Sequence, residues 1–158
     1  MPKLRRGAWL VLIATVLMGP GSGAGAQEWK PLLPGDLRWM DVPSYPGVQF
    51  ALLSGGLGKP GPFTVRAKFP PNYRLGPHTH TDDRGLTILE GSWMQGIGDQ
   101  LDTAKAVQMP AGSFVLIPAN QVHFDISGPE GATVQVTGIG ESLTRYLDPA
   151  DDPKSKYK

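Results

Sequence analysis

The turn punctuation of this chain constrains its fold more than any other feature. Of 158 residues, 21 are glycine and 16 proline, spread through the chain in short clusters between apolar runs. Pro43-Ser44-Tyr45-Pro46-Gly47 and Ser54-Gly55-Gly56-Leu57-Gly58-Lys59-Pro60-Gly61-Pro62 separate the runs 37–42, 47–53 and 63–69. Such clusters mark reversals of the chain rather than helix ends. The third run alternates, with Phe63, Val65, Ala67 and Phe69 on one face and Thr64, Arg66 and Lys68 on the other, which is the period of a half-buried strand. Further strands are expected at 75–80, 86–89, 92–97, 106–109, 113–117, 122–126, 133–139 and 143–147. About ten strands in roughly 110 residues, with no sustained helical period, predict an all-β sandwich or barrel. The run Ser113–Ile117 is almost wholly apolar and reads as a strand buried on both faces.

The ends of the chain read differently. Lys3, Arg5 and Arg6, the apolar stretch Ala8–Met18 and the small residues Ala24-Gly25-Ala26 make residues 1–26 an expected signal peptide. Its apolar stretch is too short for a comfortable membrane span, so no stable membrane insertion is expected after cleavage, and the protein is expected to be periplasmic or secreted. Residues 27–36 read as an extended lead-in, 37–148 as the one folded domain, and 149–158 as a flexible tail. Cleavage takes the count from 15 basic and 14 acidic residues to 12 and 14, a net of −2. No basic field for nucleic acid remains. With no cysteine, neither a disulfide framework nor a thiolate metal site is available, so a transition metal would have to be held by imidazole and oxygen.

The chain has three histidines, His78, His80 and His123. In a strand, His78 and His80 project to the same face and can chelate one ion, while His123 joins them only if the fold brings it there. Other chemistry finds no support. No serine lies in a nucleophile-elbow context, Gly96-Ile97-Gly98-Asp99 is too short for a dinucleotide loop, and the glycine-rich 55–61 segment lacks the strand-to-helix setting of a phosphate loop.

On these motifs the chain resembles the cupin superfamily, specifically its small bacterial single-domain members, over nearly the whole region after the signal. That family's first motif carries a His-x-His pair, then a glutamate and a closing glycine; here His78, His80 and Gly91 match. Its second carries a glycine, a proline, a turn glycine, a histidine and an asparagine; here Gly112, Pro118 and His123 match. The departures are Arg84 at the glutamate position, Asn120 at the turn glycine, Ser127 at the final asparagine, and an opening Gly76 that sits close to His78. Asn120 is a mild change, because asparagine tolerates the left-handed backbone. Arg84 is not, because a guanidinium has no lone pair to give a cation.

The resemblance implies a jelly-roll barrel, the double-stranded β-helix, holding a divalent transition metal (iron, manganese, zinc or nickel) on His78, His80 and His123, with Asp82 or Asp83 as an extra oxygen ligand. Arg84 is then a clamp for an acidic substrate, or it pairs with Asp82 or Asp83 in a degenerate site whose histidines only hydrogen-bond. Alternation offers Gln135 and Thr137, and Asp125 on the face of His123, as pocket or supporting residues, with Trp93 closing the pocket; each is equally readable as a solvent-facing or core residue. Two functions stay open. One is a metal-dependent enzyme of dioxygenase, isomerase or lyase type acting on a small molecule. The other is a non-catalytic small-molecule or metal-binding module. A homodimer, joined by edge strands or by the 27–42 arm, is a third expectation.

Overall fold

Nine antiparallel strands make up nearly all regular structure in the protein, a computed structural model that describes residues 29–153. Chain contacts divide at Pro31, and Leu32 onward forms one unit. The expected signal peptide lies outside the described residues. Among those residues no helix is long and apolar enough to cross a membrane. A single 3-10 turn, Pro34–Asp36, interrupts the expected lead-in, with Asp36 Oδ2 accepting from the Leu33 N–H.

The strands are β1 (Met40–Asp41), β2 (Gln49–Ser54), β3 (Gly61–Phe69), β4 (Arg74–His80), β5 (Arg84–Ile97), β6 (Val107–Pro110), β7 (Phe114–Ile117), β8 (His123–Gly140) and β9 (Thr144–Tyr146). The long strands β5 and β8 pair along most of their length and carry the others on their outer edges. The half of β8 near Val134 also pairs with β3, and β3 with β2; the half near His123 pairs with β4, and β4 with β9. Strand β5 likewise takes β7 on its first half and β6 on its second. One sheet therefore bends into two faces, and the bend lies where β5 and β8 cross.

That bend is the main difference from the sequence reading. Each long strand was expected as two shorter ones, 86–89 with 92–97 and 122–126 with 133–139, so that Gly91 and the glycines of 128–131 fell between strands. They are kinks within paired strands. Register shifts flank Gly91, which has φ 71°, and Gly131 has φ 83°. A Cβ on Gly91 would collide with the Gly131 carbonyl oxygen. Close backbone approach of the two strands thus requires glycine at the crossing.

Phe63, Val65 and Ala67 are buried as the alternation of β3 requires. They face a core built around Ile88, Leu86, Trp93, Ile117 and Val134. Strand β7 departs from expectation. Ile117 is 4% exposed, yet Phe114 and Leu116 are each 63% exposed. Strand β7 pairs only with β5, and nothing among the described residues covers its outer face, so apolar content misread an edge strand as a central one. In the first part of the expected flexible tail the Asp151 N–H donates to the Asp148 carbonyl, and Pro153 is buried.

Candidate metal centre

Strand pairing brings the distant histidine to the other two. His78 on β4 lies directly across from His123 on β8 and from Tyr146 on β9, while His80 faces Thr144. Thr79 alternates away, so both β4 imidazoles enter the same space. One nitrogen from each of the three rings falls within 4.8 Å of the others, and all three residues are buried. The turn that delivers His123 depends on Asn120, which has φ 61° and whose N–H donates to the His80 carbonyl at 2.7 Å. Asparagine does there what the motif glycine does.

Each ring is oriented from behind. The Nδ1 of His78 donates to the Gly76 carbonyl at 2.8 Å, and that of His123 to the Gln121 carbonyl at 2.9 Å. Thr144 Oγ1 lies 3.1 Å from His80 Nδ1. With Nδ1 donating to carbonyls, the Nε2 atoms of His78 and His123 keep their lone pairs for the interior. Burial pushes the pKa of His78 down, opposed by Asp125 and reinforced by His123. It likewise pushes that of His80 down, with the charge of Arg84 adding to the effect. These imidazoles are neutral at physiological pH, which is the form that ligates metal.

The histidines form one wall of a cavity of about 330 Å³, within the size range of small-molecule sites. Its other walls are mainly apolar, with Phe50, Phe69, Leu75, Leu86, Trp93 and Val136 among them. Arg84, the first residue of β5, also lines it. The Arg84 Nη2 donates at 2.6 Å to Asp82 Oδ1 and at 2.6 Å to Ser142 Oγ, while its Nε is buried without a partner.

Of the two aspartates considered as an oxygen ligand, Asp82 is therefore taken up by Arg84. Asp83 accepts the Ala119 N–H at 2.7 Å at the surface, and neither belongs to the histidine group. Asp125 and Trp93 do line the cavity. Gln135 and Thr137 do not: Val134 and Val136 take the inward positions, so the alternation puts their polar neighbours outside, where Gln135 accepts from Arg66 Nε at 3.1 Å. Alternation left them readable as pocket-lining or solvent-facing, and β8 packing on β3 and β5 sets the second.

Sequence reasoning missed Gln95, Ser142 and the tyrosines Tyr45 and Tyr146, whose hydroxyls lie 3.4 Å apart on the cavity wall. Burial raises the pKa of both phenols, so they stay protonated. Tyr146 alternates with Thr144 in β9, a signal present in the sequence but too short to read.

A metal fits these residues. The Nε2 of His123 is buried without a hydrogen-bond partner, at the point where three ring nitrogens converge. Three neutral imidazoles are a donor set that divalent transition metals accept.

The architecture is shared with solved cupins. The polyketide cyclase RemF from Streptomyces resistomycificus aligns with a TM-score of 0.64 at 20% identity, over 80% of this chain and 90% of the cyclase. A sugar phosphate isomerase of the cupin superfamily from Silicibacter pomeroyi gives 0.58 at 16% identity, over 75% of this chain and 82% of the isomerase. An RmlC-like cupin from Shewanella frigidimarina gives 0.56 at 15%, over 72% and 92%. At such identities the likeness establishes the jelly-roll fold alone. No curated protein matches the sequence. The pattern of the ChrR cupin-like domain, however, matches residues 31–141, which hold the three histidines, Arg84 and the bent β5–β8 pair. The chain belongs to the ChrR cupin-like domain family of the cupin superfamily.

Proposed function

We propose that this protein is a metal-dependent cupin enzyme, exported to the periplasm or beyond, that acts on a small molecule with an apolar body and an anionic oxygen-bearing group. The observation that carries this reading is the convergence of three oriented imidazoles on the wall of an apolar cavity. Enzymes with the same fold, including a polyketide cyclase and a sugar phosphate isomerase, favour small-molecule chemistry of the lyase or isomerase kind over storage. Export rests on the signal-like residues 1–26.

A divalent ion held by His78, His80 and His123 would supply Lewis acidity to a substrate oxygen, or activate water or dioxygen. The remaining work falls to the chain. Phe50, Phe69, Leu86 and Trp93 hold the apolar body and displace water, which strengthens every polar contact inside. Arg84, fixed through Nη2 by Asp82 and Ser142, presents its guanidinium to the anionic group. Tyr146, its ring tilted against His78 with centroids 5.2 Å apart, donates its hydroxyl hydrogen to Tyr45, whose own protonated O–H remains to donate a hydrogen bond into the cavity.

The Asp82–Arg84 pair also favours a second reading, a binding module that captures an anionic small molecule without turnover. Metal content by mass spectrometry, on protein purified without a metal-binding tag, tests the enzyme reading. Near-stoichiometric iron, manganese, nickel or zinc that is lost in His123→Ala supports it. No metal after reconstitution overturns it in favour of the binding module.

A further inference from the structure

We propose that Asp125 is a fourth metal ligand, supplying the carboxylate that Arg84 cannot. The proposal rests on the metal reading above and extends it to a residue outside the histidine group. Asp125 lies two positions beyond His123 in β8, on the same inward face, and is 4% exposed. One of its oxygens is already occupied: Oδ1 accepts from Trp93 Nε1 and from Gln95 Nε2, each at 2.9 Å. That pair of donors turns the other oxygen, Oδ2, toward the imidazoles.

Oδ2 lies 3.7 Å from His78 Nε2 and 3.7 Å from His123 Nε2. Both distances are too long for an N–H···O hydrogen bond. Both rings also commit Nδ1 as the donor to a main-chain carbonyl, so Nε2 presents a lone pair. A carboxylate oxygen and two ring lone pairs thus face one another without a hydrogen between them. Nitrogen and oxygen ligands 2.0–2.2 Å from one tetrahedral ion are roughly 3.3–3.6 Å apart, so the observed separation is close to that of atoms sharing a cation. His123 Nε2 has no other partner.

Charge points the same way. Arg84 sits near the histidines, but its charge is matched by Asp82 at 2.6 Å. Asp125 has no arginine or lysine partner among the described ion pairs, and a buried carboxylate of this kind is favoured by a cation beside it. The Trp93 and Gln95 hydrogen bonds then orient a ligand, as donors behind a metal-bound carboxylate do.

The test is a chelator-competition titration of Zn²⁺ and Co²⁺ into the metal-free protein, comparing wild type, Asp125→Asn and Trp93→Phe, together with the visible absorption of the Co²⁺ form. Asp125→Asn keeps an oxygen for Trp93 and Gln95, and is expected to weaken binding more than 100-fold and to shift the cobalt bands. Trp93→Phe, which removes only an orienting donor, belongs in the roughly 10–100-fold range. A loss under 100-fold with an unchanged cobalt spectrum in Asp125→Asn overturns the proposal and makes Asp125 a positioning residue, leaving the three-histidine site intact. If wild type takes up neither metal, the metal reading falls and the proposal with it. Should Asp125→Asn not fold, a crystal structure of the zinc-loaded wild type decides, with Oδ2 expected about 2.0–2.2 Å from the ion and a separation beyond direct coordination refuting it.

Discussion

Arg84→Met is the most informative perturbation of this fold, because it separates the stability role of the arginine from any role toward ligand. The Arg84 and Asp82 side chains are 8% and 4% exposed, so solvent screens their 2.6 Å contact little. Replacing the guanidinium with an apolar chain of similar length leaves Asp82 buried without its cation. Breaking one side of a buried pair costs about 3–5 kcal/mol. For a domain of this size that corresponds to a fall in Tm of roughly 10–20 °C. The pair is itself imperfectly satisfied: Asp82 Oδ2 and Arg84 Nε both lack partners. Replacing both members should therefore recover most of the loss, since a buried pair contributes little net stability over apolar packing. The assay is urea unfolding of the metal-free protein for wild type, Arg84→Met, Asp82→Leu and the double variant. Singles within about 1 kcal/mol of wild type, or a double variant whose loss is the sum of the singles, would refute the reasoning, because independent sites add and a shared pair does not.

Two further outcomes follow from the same geometry. The metal-free protein should lose stability as pH falls below the ordinary histidine value of 6.5, because burial depresses the pKa of His78 and His80 in the folded state while the unfolded chain takes up their protons. Two such groups amount to about 2–3 kcal/mol between pH 7.5 and 5.5, read as a drop in urea midpoint, and a midpoint that is flat over that interval would contradict it. Ser127→Ala should cost about 2–3 kcal/mol in the same measurement, because the 1% exposed hydroxyl donates to the Pro70 carbonyl at 2.6 Å and accepts the Tyr73 N–H at 2.8 Å.

Much of this was legible in the residues, for reasons that also explain what was not. Alternation in Phe63–Phe69 gave the inward face of β3 because that strand has neighbours on both edges and one solvent-facing side. On β8 the same rule separated Gln135 and Thr137 from Val134 and Val136 but left open which face was inward, a choice made by packing on β3 and β5. The reading failed on β7, where apolar residues lie on an uncovered face. The kinks at Gly91 and Gly131 were expected as breaks between strands, because a left-handed glycine has the same sequence signature in a kinked strand as in a hairpin. The histidine cluster was legible because both motifs carry its members. Proximity of His123 to His78 was not, since it is a property of the β4–β8 register.

Arg84 shows why the site must be read as a set of paired charges rather than as a list of ligands. In the family motif a carboxylate at that position faces the histidines. Here a guanidinium occupies it, and its charge bears on His80 and works against a cation nearby. Two features offset that cost. Asp82, two residues earlier, neutralises the arginine at 2.6 Å, and Asp125 on the opposite strand β8 presents an oxygen to two of the three imidazoles. The cavity thus keeps a carboxylate next to the histidines while gaining a fixed cation, Arg84, on the adjoining wall. Under the proposed function, a ligand that bridges the two would carry an anionic oxygen toward Arg84 and a second oxygen toward the histidines, with its carbon skeleton against Leu86 and Trp93. Under that function, the arrangement would favour small hydroxy- or oxo-carboxylates and enolic acids over neutral sugars, because an anionic oxygen forms the stronger hydrogen bond with a guanidinium.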